Sequence, residues 1–156
     1  IAILRDRFGE KCMIGAGTAI SVDLAKAAIG AGAQFLLTPG TPIDVLQYCA
    51  KKDIMLLPGV FTPGDVATSL EFGYKTMKLF PAGCAPKGYL KALKGPYDEA
   101  NYIAIGGVTI DNINDYFKEG YMGVGLASNL MPLSVLKDKN WDLGVSYVQK
   151  YVSRVK

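Results

Sequence analysis

Six short apolar runs recur along this chain in a regular rhythm. They begin near residues 12, 33, 54, 76, 102 and 121, and each is nearly continuously hydrophobic over four to eight residues. Runs of this kind are typical of strands buried on both faces of a parallel sheet. Segments with helical spacing separate them. The alternation predicts an α/β fold in which helices cover a parallel sheet, and by itself it leaves a doubly wound sheet and a barrel open.

The segments between the runs have apolar positions at helical intervals. These positions predict the helix faces that cover the sheet. The predicted inner faces are Leu24, Ala27, Ala28 and Ala31 in one helix, Ile43, Leu46 and Ala50 in the next, and Ile110, Ile113 and Phe117 in a later one.

Capping residues support the same division into strands and helices. Thr41 and Thr62 each precede a proline and are predicted N-caps, with an acid in the first turn; Thr109, followed by Ile110 and Asp111, repeats the pattern without the proline. Glycines stand where helices end and predict the left-handed conformation there. These glycines are Gly32, Gly73 and Gly120.

Composition excludes several classes of function. The 17 Lys and Arg against 14 Asp and Glu give a net charge of +3, with no basic block, so neither nucleic acid nor a membrane surface is an expected partner. The sequence has no histidine, which excludes His-based metal sites and Ser-His-Asp triads. Cys12, Cys49 and Cys84 lack CxxC spacing and predict reduced, mostly buried thiols in a cytoplasmic protein.

Glycine-bearing turns follow five of the six runs. Such turns let a backbone approach a ligand closely and direct N–H groups at an anion, although any one of them could simply be a tight connection. As a set they favour a ligand-binding rim at the carboxyl ends of the strands. The turns are Gly15-Ala16-Gly17-Thr18, Pro39-Gly40-Thr41, Pro58-Gly59, Gly106-Gly107 and Gly125-Leu126-Ala127-Ser128.

Lys78 interrupts an otherwise apolar run. Strand alternation places Thr76, Lys78 and Phe80 on one face, with Met77 and Leu79 on the other. The lysine could lie at an edge or at a solvated strand end. An inward amine would instead be desolvated, which lowers its pKa and produces the neutral nucleophile that Schiff-base chemistry needs.

Several of these motifs together resemble one family. The motifs are Gly15-Ala16-Gly17-Thr18, Thr38-Pro39-Gly40, Leu57-Pro58-Gly59-Val60, Lys78-Leu79-Phe80-Pro81-Ala82, Gly106-Gly107-Val108 and Ala127-Ser128. Their order and spacing resemble those of the class I aldolases that act on 2-keto-3-deoxy-6-phosphogluconate and 4-hydroxy-2-oxoglutarate. The resemblance implies a cytoplasmic homotrimer of (β/α)8 TIM barrels that uses no metal or cofactor. It implies cleavage of a small, phosphorylated keto acid, the gluconate compound or its galactonate epimer, or of 4-hydroxy-2-oxoglutarate, to pyruvate and an aldehyde.

The resemblance also implies a role for individual residues. Lys78 would form the Schiff base, Thr18 would contact the pyruvate carboxylate, and Pro39 and Phe80 would line the pocket. The backbones of Gly106, Gly107 and Ser128 would bind the phosphate, consistent with barrel phosphate sites after the last two strands. Ile105 occupies a position associated with discrimination at C4, where an aliphatic side chain resembles the galactonate branch.

The length of 156 residues is short for a full eight-unit barrel, which takes about 250. We therefore expect a single partial TIM-barrel aldolase domain over residues 1–156, comprising strands 3 to 8. The expected first two βα units would supply the family's Glu proton shuttle and carboxylate-binding Arg, and none of the acids in this sequence directly follows a strand. The alternative is a non-catalytic α/β protein that binds phosphate esters, and other phosphate-binding barrels, such as the thiamine-phosphate type, share the double-glycine loop.

Overall fold

The fold is an alternation of short parallel strands and helices. A computed structural model describes residues 1–155. The helices are α1 (Ala2–Phe8), α2 (Val22–Gly30), α3 (Ile43–Lys51), α4 (Pro63–Glu71), α5 (Tyr89–Lys94), α6 (Ile113–Glu119), α7 (Leu133–Lys137) and α8 (Trp141–Arg154), with a 3-10 turn at Ala82–Cys84. The strands are β1 (Gly15–Ala16), β2 (Phe35–Leu37), β3 (Leu56–Leu57), β4 (Gly59–Val60), β5 (Thr76–Leu79), β6 (Asn101–Ile105) and β7 (Gly123–Gly125).

All strand pairs are parallel, and the strands form two sheets. One sheet has the order β1-β2-β3 and the other the order β4-β5-β6-β7. The predicted α/β class and all six predicted strand regions are confirmed. Within residues 1–155 the sheets do not close into a barrel.

The third predicted strand is divided at Pro58, which explains why there are two sheets. Proline has no N–H to donate to a neighbouring strand. Its carbonyl still accepts from Lys78 N at 2.8 Å, while Gly59 N donates to the Thr38 hydroxyl at 3.1 Å. The buried Thr38 hydroxyl thus takes the place of a backbone carbonyl as the acceptor for Gly59 N. The chain continues from β3 in one sheet directly to β4 in the other.

The core lies between the sheets and their helices in two clusters of different size. The cluster under β4 to β7 has fourteen buried residues, including Met77, Leu79 and Tyr102. The cluster under β1 to β3 has eight, including Leu36 and Leu46. The sheet that contains Lys78 therefore has the larger hydrophobic support.

The predicted inner faces of α2 and α3 are wrong in part. Helix α2 buries Ala25 and leaves Leu24 49% exposed. Helix α3 buries Leu46 as expected, but Val45 and Cys49 accompany it in place of the other predicted members, Ile43 and Ala50, which are exposed. Both helices have apolar residues on several sides, so spacing alone does not select a face. The α6 face is confirmed, with Ile113 fully buried and Ile110 and Phe117 packed against the same core.

Thr62 forms the predicted cap, whereas Thr41 does not. The Thr62 hydroxyl accepts from Asp65 N, and the Asp65 carboxylate accepts from Thr62 N, which completes a capping box at α4. Helix α3 begins after Pro42 without a side-chain cap. The Thr41 hydroxyl instead donates to Asp65 Oδ1 at 3.2 Å, so it links the loop after β2 to the first turn of α4 rather than starting a helix.

The predicted cap at Thr109 is displaced by three residues. Thr109 N donates to Asn112 Oδ1 at 2.7 Å, and Asn112 N donates back to the Thr109 hydroxyl at 3.4 Å. This closed turn precedes α6, so the helix begins at Ile113 and Asp111 lies outside it. The three predicted helix-ending glycines are confirmed, with φ values of +93°, +86° and +101° at Gly32, Gly73 and Gly120.

The cysteines are free, but only one is buried. Cys49 lies in the smaller core, whereas Cys12 and Cys84 are exposed, contrary to the expectation of mostly buried thiols. Over the described residues, no helix has the length and apolar character needed to cross a bilayer. The same residues contain no cluster of three potential metal ligands.

Candidate active site

Lys78 lies on the face of β5 that the helices do not cover. Met77 and Leu79 are fully buried in the helix-covered core, whereas Thr76 and Lys78 alternate with them and are half-buried. Lys78 is flanked in register by Gly59 on β4 and Ile103 on β6. The predicted alternation is confirmed, and it directs the amine away from the hydrophobic core.

The environment of the Lys78 amine disfavours its charged form relative to an exposed lysine. Burial lowers the pKa of this amine below its usual value. Among residues 1–155 the ion pairs are Lys75–Glu99 and Lys118–Asp115, so no carboxylate offsets that burial. Lys75 is the opposite case, because the hydrogen bond and then the charge of Glu99 raise its pKa. Two lysines three residues apart are therefore electrostatically different.

Phe80 connects the amine to the turn after β6. Lys78 Nζ lies 4.2 Å from the centroid of the Phe80 ring. A Cβ on Gly106 would lie 3.1 Å from that same ring, which places the Gly106 backbone against it. Lys78, Phe80 and Gly106 are therefore contiguous, as expected for parts of one site.

The double-glycine turn requires glycine at both positions. Gly106 and Gly107 have φ values of +88° and +85°, a region that other residues rarely adopt. A Cβ on Gly107 would lie 2.8 Å from Gly83 Cα. Gly83 N also donates to Gly106 O at 2.8 Å, so the turn after β6 packs directly on the turn after β5.

Ile105 lies on the same sheet face as Lys78. It pairs in register with Gly125, and a Cβ on Gly125 would lie 2.7 Å from Ile105 Cγ1. The isoleucine side chain thus covers β7, in the space that Gly125 leaves open. It is half-buried and two residues beyond Ile103, the register partner of Lys78.

Pro39 and Thr18 lie at the same end of the strands but on the other sheet. A Cβ on Gly59 would lie 2.4 Å from the Pro39 carbonyl carbon, so Pro39 packs beside the strand next to β5. Thr38 supports it, because its hydroxyl donates to Gly40 O at 2.6 Å. Thr18 is exposed in the loop after β1, with β2 and the β3–β4 run between it and β5. It is the predicted site residue furthest from Lys78 in strand order.

Ser128 lies in the loop after β7, near the double-glycine turn. It is exposed and lines a cleft of about 440 Å³ together with Thr109, Asn129 and Tyr151. A cleft of about 670 Å³ lies between the 3-10 turn and α6, where Gly83, Asn112 and Tyr116 contribute to its wall. Lys78 lines neither of these two clefts.

Two asparagines that sequence reasoning missed brace these loops. Asn112 Nδ2 donates to Gly107 O at 2.9 Å, and Asn129 Nδ2 donates to Val108 O at 3.2 Å. The Tyr151 hydroxyl donates to Asn129 O at 2.7 Å. The preference of asparagine for helix starts could have indicated Asn112, but no local pattern marks Asn129.

Asp65 is an acid at the carboxyl end of β4, and its contacts are those of a structural group. Its carboxylate accepts from Phe61 N, Thr62 N and the hydroxyls of Thr62 and Thr41. Burial alone would raise the pKa of Asp65, but these hydrogen bonds outweigh it and lower the pKa. A carboxylate stabilised in this way is a weak proton acceptor.

The fold is a parallel α/β scaffold in which a partly buried strand lysine lies beside a double-glycine turn. The chain belongs to the KDPG and KHG aldolase family, whose model matches residues 1–146. The members of this family are aldolases, that is, carbon–carbon lyases.

Relatives and solved structures agree with this family. The 2-dehydro-3-deoxy-6-phosphogalactonate aldolase of Escherichia coli is 31% identical over 153 residues, covering 97% of this chain and 74% of the relative. The 2-dehydro-3-deoxy-phosphogluconate aldolase of Pseudomonas aeruginosa is 34% identical over 82% of this chain, which spans only 59% of that relative. A KDPG aldolase from Legionella pneumophila, solved with pyruvate captured as a covalent carbinolamine, superposes with a TM-score of 0.86 at 30% identity, covering 94% of this chain and 71% of that one.

Proposed function

We propose that this chain acts as a class I aldolase on a phosphorylated 2-keto-3-deoxy sugar acid, with Lys78 as the Schiff-base lysine. The observation that supports this most directly is the Lys78 amine, half-buried, without a carboxylate partner and with a lowered pKa. A neutral amine is the nucleophile that attacks a carbonyl carbon. The Lys78 amine contacts the Phe80 ring, and the same ring packs against the double-glycine turn. These contacts support a site that includes all three.

The proposed reaction passes through an imine at Lys78. The neutral Lys78 amine adds to the C2 carbonyl, and the resulting carbinolamine takes up one proton from solvent and loses water to form the protonated imine; the final hydrolysis returns that proton. The C3–C4 bond then breaks, its electron pair moves to the imine as an enamine, and the C4 hydroxyl loses its proton as the aldehyde departs. The enamine takes a proton at C3, and water hydrolyses the resulting imine to release pyruvate and regenerate the amine.

The other predicted residues have binding roles in this proposal. Thr18 would contact the pyruvate carboxylate, with Pro39 and Phe80 along the pocket wall. The phosphate would be bound by backbone N–H groups of Gly106, Gly107 and Ser128. Glycines at positive φ leave such groups unshielded by a Cβ, which supports their assignment to an anion.

We assign the proton transfers to no residue between 1 and 155. Asp65 has its carboxylate occupied by hydrogen bonds and is unsuited to the task. A missing positioned base typically costs about 10²- to 10⁴-fold in rate. Schiff-base formation is therefore a sharper test of this chain than turnover.

The test is reductive trapping of pyruvate. Incubation with pyruvate and borohydride should add a stable mass to the intact protein, which peptide mapping should locate at Lys78. Lys78→Ala should abolish the adduct. Lys75→Ala is the matched control, because Lys75 belongs to the same segment but pairs with Glu99 and has a raised pKa. Absence of any adduct between pH 6 and 9, or an adduct that survives Lys78→Ala, would refute the proposal.

The pH dependence of trapping gives a second test. Because the pKa of Lys78 is lowered, its neutral fraction at a given pH exceeds that of an ordinary lysine. The trapping rate should rise with pH and level off below the usual lysine value of about 10.4. The trapping rates would be measured at constant borohydride concentration and ionic strength. If burial had no effect on the amine, the midpoint of the pH profile would lie near the ordinary lysine pKa.

Substrate choice between epimers is proposed to depend on Ile105. Its aliphatic side chain covers Gly125 on the Lys78 face, and we propose a preference for the galactonate compound over the gluconate compound. Ile105→Thr should shift the ratio of kcat/KM for the two epimers toward the gluconate compound. Equal ratios before and after the substitution would remove Ile105 from this role.

We also propose that the chain assembles as a homotrimer, on the family resemblance alone. Light scattering coupled to size-exclusion chromatography should give a mass of three chains. A monomer or dimer at the concentrations used for the trapping assays would contradict this part of the proposal.

A further inference from the structure

The turn after β6 has three successive carbonyl groups, each fixed by a different partner. Gly106 O accepts from Gly83 N, Gly107 O from Asn112 Nδ2, and Val108 O from Asn129 Nδ2. The donors come from the turn after β5, the start of α6 and the loop after β7. Three separate parts of the chain therefore determine how these peptide planes are rotated.

Fixing a carbonyl also fixes the N–H of the next residue. In a planar trans peptide the C=O and the following N–H point in opposite directions. Because the carbonyls of Gly106 and Gly107 point at Gly83 and Asn112, the N–H groups of Gly107 and Val108 point away from those partners. Thr109 N is already used, since it donates to Asn112 Oδ1. The N–H groups of Gly107 and Val108 are thus held in fixed directions by groups outside the turn.

Asn129 differs from the other two partners because it joins the turn after β6 to the loop that carries Ser128. It follows Ser128 directly, and its side chain reaches back to Val108 in the turn after β6. Its own carbonyl accepts from the hydroxyl of Tyr151, a residue of α8 that is only 7% exposed. The loop after β7 is therefore tied on one side to the double-glycine turn and on the other to the carboxy-terminal helix.

This connection matters because the proposed phosphate site is divided between these two loops. We propose that Asn129, anchored by Tyr151, is a positioning residue that sets the spacing between the Gly106-Gly107-Val108 backbone and Ser128, and so determines affinity for the phosphate of the substrate. The inference rests on the proposed function. It extends that function by naming residues that act through the backbone and contact no reacting atom.

Loss of the Asn129 side chain should affect phosphate binding and not Schiff-base formation, because Lys78 lies on another strand. Asn129→Ala should weaken binding of sn-glycerol 3-phosphate, measured by calorimetry at fixed ionic strength, by about 3- to 10-fold, as expected for loss of one hydrogen bond. The rate of pyruvate trapping at Lys78 should stay within about twofold of the parent rate, because pyruvate has no phosphate group. A residue with only a structural role would weaken both measurements together.

Tyr151→Phe is the second variant, because it removes the hydroxyl and keeps the buried ring. It should lower phosphate-ester affinity by about 2- to 5-fold. The double variant Asn129→Ala/Tyr151→Phe should lose no more binding free energy than the two single variants lose together. Asn101→Ala is the control, since it removes an exposed amide at the opposite end of β6. That control should leave both measurements unchanged.

The outcomes separate this inference from the function on which it rests. If the parent chain traps pyruvate and binds glycerol 3-phosphate but Asn129→Ala leaves that binding intact, the positioning role is refuted and the aldolase proposal stands. Equal losses for both ligands also refute it. If the parent chain binds no phosphate ester, the phosphate site and its positioning residue are both refuted, whereas failure to trap pyruvate refutes the aldolase proposal itself.

Discussion

The two sheets of this protein are built alike but differ in their support. Strands β1 to β3 are two or three residues long and rest on eight buried residues, whereas β4 to β7 reach five residues and rest on fourteen. The sheet with the larger core holds Lys78, Phe80 and the double-glycine turn. The smaller one contributes Thr18 and Pro39, each in a loop after a short strand. The proposed Schiff-base lysine and the proposed phosphate turn thus lie on the sheet with the larger core, whereas the proposed carboxylate and pocket contacts lie in loops beside the smaller one.

The largest effect should come from truncating the larger core. Leu79→Ala removes a fully buried side chain from the middle of the four-stranded sheet, and we expect a loss of about 3–5 kcal/mol in unfolding free energy. Leu36→Ala makes the same change in the middle of the three-stranded sheet, where fewer neighbours surround the cavity. There we expect about 2–3 kcal/mol.

Urea denaturation followed by circular dichroism would measure both variants. If Leu36→Ala lowers the unfolding free energy as much as Leu79→Ala or more, the two sheets do not differ in their hydrophobic support. Two separate transitions in either variant would sharpen it, because the sheets would then unfold as independent units.

The next effect should come from the glycine turns. Gly107→Ala places a Cβ at positive φ and 2.8 Å from Gly83 Cα, and we expect a cost of about 2–3 kcal/mol. Gly17→Ala in the loop after β1 meets nothing within 4 Å and should change stability by less than about 0.5 kcal/mol. Thermal unfolding of the two variants beside the parent protein would measure the contrast, and equal costs would contradict it.

The sequence predicted the order of strands and helices because hydrophobic period and helix-ending glycines are local signals. It also placed Lys78 on the correct strand face, since alternation along β5 needs no tertiary information. It did not predict the faces of α2 and α3, where several sides of the helix are apolar. Nor did it predict the break at Pro58, where Gly59 N donates to the hydroxyl of Thr38, the residue that follows β2.

The site was predictable only as far as its motifs are contiguous. Lys78 and Phe80 are two residues apart, and the double-glycine turn follows one strand, so a local pattern includes them. The contact of Asn129 with Val108 spans 21 residues and that of Tyr151 with Asn129 spans 22. Such bonds exist only once the loops and α8 are packed together, and asparagine and tyrosine are too common in loops and helices to indicate them.

The smallest effect tests the link between the two sheets. Asp65 caps α4 in the larger sheet's half and accepts from the Thr41 hydroxyl in the loop after β2. Asp65→Asn should destabilise the protein by about 1 kcal/mol at pH 7, since an uncharged amide replaces the accepting carboxylate. Thr41→Val removes only the link and should cost about 0.5 kcal/mol.

The loss from Asp65→Asn should depend on pH. The pKa of Asp65 is lower in the folded chain than its usual value of 3.8, so the unfolded chain binds more protons between the two values. The stabilisation is then complete above the unfolded pKa and disappears as pH falls through the folded one. Unfolding free energies of the parent and Asp65→Asn should therefore converge as the pH falls from the usual value of 3.8 through the lowered folded pKa. A difference in unfolding free energy that stays constant over this pH range would mean that the substitution acts through packing. The two sheets would then be joined by Pro58 and the shared β3–β4 run rather than by the Asp65 carboxylate.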